Sequence, residues 1–116
     1  MTVLIFDDDE DFLGRLNSRF KAQPLRGLRV NSVWCNNAAK AQKAVEKYNP
    51  DILFADHMLG LRENAFEVAK KAAENGIHVF TTSGASPKVL EMYANLGIPH
   101  VPKSQVADKI LELFEK

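Results

Sequence analysis

The chain has 116 residues, 46% of them hydrophobic, enough for one compact core and too few for two ordinary domains. Lysine plus arginine number 15 and aspartate plus glutamate 15, so no net field draws the chain to nucleic acid or an anionic membrane, and binding must come from a local site. Cys35 is the single cysteine, which excludes an internal disulfide and a cysteine-rich zinc centre, fits a reducing cytosol and reads as a buried thiol.

Met1 leads straight into an apolar strand pattern, with no signal-peptide pattern and no stretch able to span a bilayer, so a soluble cytoplasmic protein is expected. The first strand is predicted at Val3 to Phe6 and is followed by helical spacing at Phe12, Leu13, Leu16 and Phe20. Pro24 and Gly27 then break the chain before a second strand, Leu28 to Cys35, and a helix carrying Ala38, Ala41, Val45 and Tyr48. Pro50 opens a third strand, Ile52 to Ala55, and Phe66, Ala69 and Ala73 mark the third helix. Gly76 follows that helix where a left-handed C-cap is expected, and a fourth strand is predicted at Val79 to Thr82. The fourth helix carries Val89, Leu90, Tyr93 and Ala94 and ends at Gly97. A fifth strand, Ile98 to Val101, precedes the last helix with Val106, Ile110, Leu113 and Phe114.

Strict alternation of strand and helix requires right-handed crossovers and a parallel sheet covered on both faces, so the fold class is doubly wound α/β. VLIF and ILFA are apolar enough for central strands, whereas Asn31 and Ser32 suit an edge, which gives a strand order of 2-1-3-4-5.

In such a sheet the residues just after each strand meet at one rim. That rim collects Asp7, Asp8 and Asp9 from the first strand, Asp56 from the third, Ser83 and Gly84 from the fourth, and Val101, Pro102 and Lys103 from the fifth. The first and third strands flank the topological switch point, where such folds bind ligands. Clustered carboxylates repel one another unless a cation lies among them, and magnesium suits a site of carboxylate oxygens that also receives a phosphate. A carboxylate also serves as a phosphoryl acceptor, with Lys103 and Ser83 placed to contact the phosphoryl oxygens. Asp9, Glu10 and Asp11 have the simpler reading of acidic residues at a helix N-terminus.

The segments VLIFDDDE, PDILFADHML, VFTTSG and HVPKS, in this order and spacing, resemble the four signature segments of response-regulator receiver domains, a CheY-like superfamily. The resemblance covers essentially the whole chain and implies a flavodoxin-like (βα)5 fold with residues 1–116 as a single receiver domain. It implies magnesium bound by Asp7, Asp8, Asp56 and the Met58 backbone carbonyl, and Asp56 as phosphoacceptor. Ser83, followed by Gly84, matches the hydroxyl residue of the family, which also acts as a switch, and Lys103 matches its phosphate-contacting lysine. Four departures stand out. Gly60 replaces a common proline, Asn64 a frequent glycine, and Ser104 the usual proline after the lysine, which removes the reason for a cis peptide there. His100 occupies the place of the aromatic switch residue.

The resemblance therefore implies a component of a two-component or phosphorelay signalling system, not an enzyme beyond assisting its own aspartyl phosphorylation and dephosphorylation. Its phosphodonor would be a phosphohistidine on a sensor histidine kinase or a histidine phosphotransfer domain. Output would use the surface of the fourth helix, fifth strand and fifth helix, roughly Pro87 to Phe114, with no output domain following Lys116 and no direct contact with nucleic acid or membrane. Two alternatives belong to other classes. A pseudo-receiver would keep the fold and work without phosphate, and intact Asp7, Asp8, Asp56, Ser83 and Lys103 argue against it. A haloacid-dehalogenase-like phosphatase would take its nucleophile and acid from FDDDE, but Asp11 stands where that family needs a hydroxyl or β-branched residue and there is no cap region. Flavin binding lacks its hydroxyl- and glycine-rich phosphate loop after the first strand.

Overall fold

The computed structural model describes residues 1–82 and 86–116. Four parallel strands, β1 (Thr2–Asp7), β2 (Arg29–Trp34), β3 (Ile52–Ala55) and β6 (His78–Thr81), form a sheet in the order β2-β1-β3-β6. The strands alternate with helices α1 (Glu10–Ala22), α2 (Ala38–Tyr48), α3 (Phe66–Glu74), α4 (Pro87–Ala94) and α5 (Val106–Glu115). This is the doubly wound α/β class expected from the alternation.

Side-chain alternation splits the core into two layers. Leu4, Phe6, Leu53, Ala55 and Val79 pack against Ala41 and Val45 of α2, Val68, Ala69 and Ala72 of α3, and Tyr93 of α4. Val3, Ile5, Ile52, Phe54 and Phe80 pack on the other face against Phe12, Leu13 and Leu16 of α1 and Val106 and Ile110 of α5. Phe54 and Phe80 stack there with ring centroids 5.1 Å apart. All four residues of β3 are buried and β2 is half-buried along its length, as a central and an edge strand should be.

Helix starts follow their capping chemistry. Asp9, Asn37 and Ser86 accept hydrogen bonds from the backbone N–H groups of Phe12, Lys40 and Val89, and Pro87 occupies the first turn of α4. Gly76 and Gly97 take the left-handed conformation expected after α3 and α4, with φ of 84° and 76°.

The predicted fifth strand, Ile98 to Val101, is reduced to a single parallel bridge between His100 and Thr81. Thr81 donates to the Pro99 carbonyl and accepts from Val101 N–H, but Pro99 and Pro102 have no N–H to extend the ladder. The order 2-1-3-4-5 is kept, with that bridge beside β6. A two-residue hairpin, β4 (Met58–Leu59) with β5 (Glu63–Asn64), stands where no regular element was predicted. It follows Asp56 directly. Its turn begins at Gly60, whose φ of 67° is left-handed, and its base is closed by Ala65 N–H donating to the His57 carbonyl at 2.8 Å.

Candidate functional site

The C-terminal ends of β1 and β3 bring Asp7 and Asp56 together because these strands are adjacent and in parallel register, Phe6 opposite Ala55. Asp7, Asp8 and Asp56 each offer a carboxylate oxygen within 4.8 Å of the others. Asp7 is fully buried, Asp56 is 4% exposed, and Asp8 reaches solvent. Asp9 is the N-cap of α1 and takes the helix-terminus role expected for it.

Hydrogen bonds fix the first two carboxylates. Asp9 N–H donates to Asp7 Oδ1 at 2.9 Å, and Gly60 N–H donates to Asp8 Oδ2 at 3.0 Å. The second bond explains one departure noted above, since a proline at position 60 would have no N–H to give. A side chain there would also collide, because an added Cβ would lie 2.8 Å from the Asn36 carbonyl oxygen. Gly60 thus joins the hairpin after Asp56 to the acidic pair after β1.

Lys103 starts a 3-10 turn, Lys103–Gln105, and extends its ammonium 3.2 Å from each oxygen of Asp7 and 3.7 Å from Asp9. No cis peptide occurs among the described residues, consistent with Ser104 following the lysine. Only Oδ1 of Asp7 meets Lys103 with hydrogen-bond geometry; Oδ2 is buried without a hydrogen-bond partner among the described residues. A buried carboxylate oxygen with only the off-axis Lys103 ammonium near it among the described residues has unused acceptor capacity, which a bound hard cation would take up.

Electrostatics point the same way. Burial, followed by the nearby charge of Asp7, pushes the Asp56 carboxyl up to about 8. Burial also raises Asp7, although the Asp9 N–H and Lys103 work against it. Burial acts to lower Lys103, but the charge and hydrogen bond of Asp7, with Asp56 and Asp9, outweigh it and the net shift is upward. The Phe12 N–H at the helix start holds Asp9 below its ordinary value. Burial and mutual repulsion of Asp7 and Asp56 therefore favour a proton held by the pair, and three oxygen donors converge where a hard divalent ion would take that proton's place.

Ser83 and Gly84 lie outside the described residues. Their neighbour Thr82 was not anticipated by sequence reasoning. Ala55 stands opposite Thr81, and Thr82 N–H donates to the Ala55 carbonyl, so Thr82 lies level with Asp56. Continuing the alternation from Phe80 puts Thr82 on the same sheet face as Asp7 and Asp56. Its hydroxyl is buried and has no partner among the described residues. Strand parity, counted from Phe80, was the signal that selects it. Met58 has an exposed side chain and a backbone in the hairpin beside the pocket. His100 is exposed and shares a shallow surface depression with Gln105 of the 3-10 turn and Asp108 and Lys109 at the start of α5.

No protein-family model matches the sequence, and no curated protein sequence is significantly similar to it. Solved structures are similar. The chain superposes over 100% of its length on 99% of the signal receiver domain of a DNA-binding response regulator from Colwellia psychrerythraea, with a TM-score of 0.76 at 20% identity. For the receiver domain of a modulated diguanylate cyclase from Desulfovibrio desulfuricans, the values are 98% and 90% coverage, a TM-score of 0.72 and 21% identity. The response regulator domain of CheB from Thermotoga maritima gives 99% and 93% coverage, 0.69 and 18%. The chain has the fold of response-regulator receiver domains.

Proposed function

We propose that this chain is a receiver switch in two-component signalling, accepting a phosphoryl group on Asp56 with a magnesium ion held by Asp7, Asp8, Asp56 and the Met58 carbonyl. The observation that carries the reading is the convergence of Asp7, Asp8 and Asp56 within 4.8 Å, beside the Lys103 ammonium and around a buried Asp7 oxygen that accepts no hydrogen bond among the described residues. Magnesium, when bound, supplies the positive charge that lets all three carboxylates ionise and neutralises charge on the transferred group.

In the proposed reaction an Asp56 oxygen attacks phosphorus of a phosphohistidine on a kinase or phosphotransfer partner. The P–N bond breaks, the donor imidazole takes up a proton, and an aspartyl phosphate remains. Lys103, held on Asp7, is the cation nearest the pocket for a phosphoryl oxygen. Thr82 supplies a buried hydroxyl on the acceptor face, and Ser83 adjoins it. Met58 and Leu61, both exposed beside the pocket, and the α4 and α5 surfaces are left for partners.

The test is incubation with a small phosphoramidate and magnesium, followed by intact mass and peptide mapping. One phosphoryl group on Asp56, lost in Asp56→Asn and in chelator, is expected. Failure of the parent to label with magnesium present would assign the chain to phosphate-independent interaction modules. Thr82→Ala and Ser83→Ala, compared for the rate of labelling, identify the hydroxyl that contacts the phosphoryl group. The larger loss is expected for Thr82→Ala, because the Thr82 hydroxyl lies on the face of Asp56.

A further inference from the structure

Asp56 and His57 are adjacent but, by strand alternation, belong to opposite faces of the sheet. Asp56 turns to the acidic pocket, whereas His57 enters the layer of α2, α3 and α4. There its Nδ1 lies 2.6 Å from the Tyr93 hydroxyl, and the two rings meet edge-on at 5.3 Å. Both side chains are buried, Tyr93 completely. Burial depresses the His57 imidazole, while burial and the charge of Asp56 raise the Tyr93 phenol. Which of the two donates depends on the imidazole tautomer, because a neutral imidazole carries one donor and one acceptor nitrogen.

The attachment of α4 depends on this contact to an unusual degree. Tyr93 is the one fully buried side chain of that helix; Val89 only partly packs against the same core layer. The Tyr93 carbonyl also accepts from Leu96 N–H at 2.9 Å and Ile98 N–H at 3.0 Å, so the residue anchors the turn that leads to His100 and Lys103. At the other end, the His57 carbonyl closes the hairpin through Ala65 N–H. One side-chain hydrogen bond thus connects the peptide following Asp56 to the helix whose Met92, with Leu96 just beyond, is exposed to solvent.

We infer that the Tyr93–His57 hydrogen bond couples Asp56 to α4, so that a change of state at Asp56 reaches the α4 surface through this bond and not through His100. The inference rests on Asp56 being the reactive carboxylate proposed above. His100 is exposed, and among the described residues its segment is joined to β6 only through backbone bonds of Pro99 and Val101 with Thr81.

The test is a mutant cycle that needs no ligand. Amide spectra of nitrogen-labelled parent, Asp56→Asn, Tyr93→Phe and the double variant are compared in chelator. Asp56→Asn should shift amides of Val89 to Ala94 in the parent background, and in the Tyr93→Phe background those shifts should fall to roughly a third or less. Amides next to the pocket, at Asp8 and Gly60, should respond to Asp56→Asn alike in both backgrounds. His57→Asn keeps a side-chain amide, with both a donor and an acceptor, near the Nδ1 position and should preserve the α4 response, whereas His57→Leu should lose it. These two variants carry the test if Tyr93→Phe does not fold. His100→Ala should leave the response intact. Undiminished α4 shifts with Tyr93→Phe and His57→Leu overturn the inference, as does loss of the response in His100→Ala. Phosphoramidate labelling of the parent is scored separately. An unlabelled parent with the expected cycle refutes the phosphoacceptor reading and leaves the coupling supported; a labelled parent with no dependence on Tyr93 does the reverse.

Discussion

At the scale of single residues, Gly60 carries two loads: its φ of 67° starts the hairpin turn and its N–H holds Asp8. Gly60→Ala should destabilise the chain by roughly 1–3 kcal/mol, because the left-handed backbone and the 2.8 Å approach to the Asn36 carbonyl both oppose a Cβ. Urea unfolding in chelator measures this, and a parallel magnesium titration should show weaker binding as Asp8 loses its tether. Lys103→Ala strands a buried Asp7 carboxylate. With the lysine side chain 32% exposed, a loss of roughly 1–3 kcal/mol is expected in chelator, smaller than for a fully buried pair. Excess magnesium should recover part of it, read as a smaller difference in urea midpoint. Asp7, Asp8, Asp56 and Lys103 were legible from sequence because strand ends of a parallel sheet must converge. Thr82 was not, since placing its hydroxyl level with Asp56 requires the register of β6 on β3, which Thr81 opposite Ala55 supplies; Ser83, the hydroxyl residue expected from sequence, lies outside the described residues. His57 was hidden for a related reason: its partner, Tyr93, is 36 residues away, and no local pattern announces a pair that forms across the core.

Elements were read more fully than their edges. Five helices and the strands β1, β2, β3 and β6 follow from apolar periodicity and caps. The fifth strand failed because Pro99 and Pro102 remove ladder donors, a backbone effect that an apolar count of Ile98 to Val101 does not register. The hairpin after Asp56 escaped because two-residue strands have no period to detect. The end of β2 offers a direct probe of the pocket. Trp34, the only tryptophan, donates from Nε1 to the Asp8 carbonyl at 3.2 Å, is 43% exposed, and has the Lys40 ammonium 5.2 Å above its ring. Magnesium at Asp8 should therefore change Trp34 emission in a saturable titration. Asp8→Ala should abolish most of that change while leaving the emission of the metal-free protein close to the parent's.

For the molecule as a whole, the acidic pocket sets how stability depends on pH. Asp56 is raised from 3.8 to about 8, so between those values the folded chain holds a proton that the unfolded chain has released. Stability in chelator should fall as pH rises through that window, by an amount on the order of a few kcal/mol. Lys103, raised above its ordinary value, stays charged in both states over this range and adds nothing to the slope. Thermal melts in chelator from pH 5 to pH 8 should show a declining midpoint for the parent and a much flatter line for Asp56→Asn; magnesium should lift the parent most at pH 8. Cys35 gives the same pocket a clock. Its thiol is fully buried and pushed up to about 11, and its N–H is bonded to the Asp7 carbonyl at 2.9 Å on the exposed flank of the sheet. An alkylating reagent reaches that sulfur only after a local opening, and the separation of β2 from β1 at the peptide that carries Asp7 is one such opening. The rate at which the lone thiol is trapped therefore sets an upper limit on how often the acidic centre comes apart, and a cation that knits the centre together will be seen as a slowing of that rate.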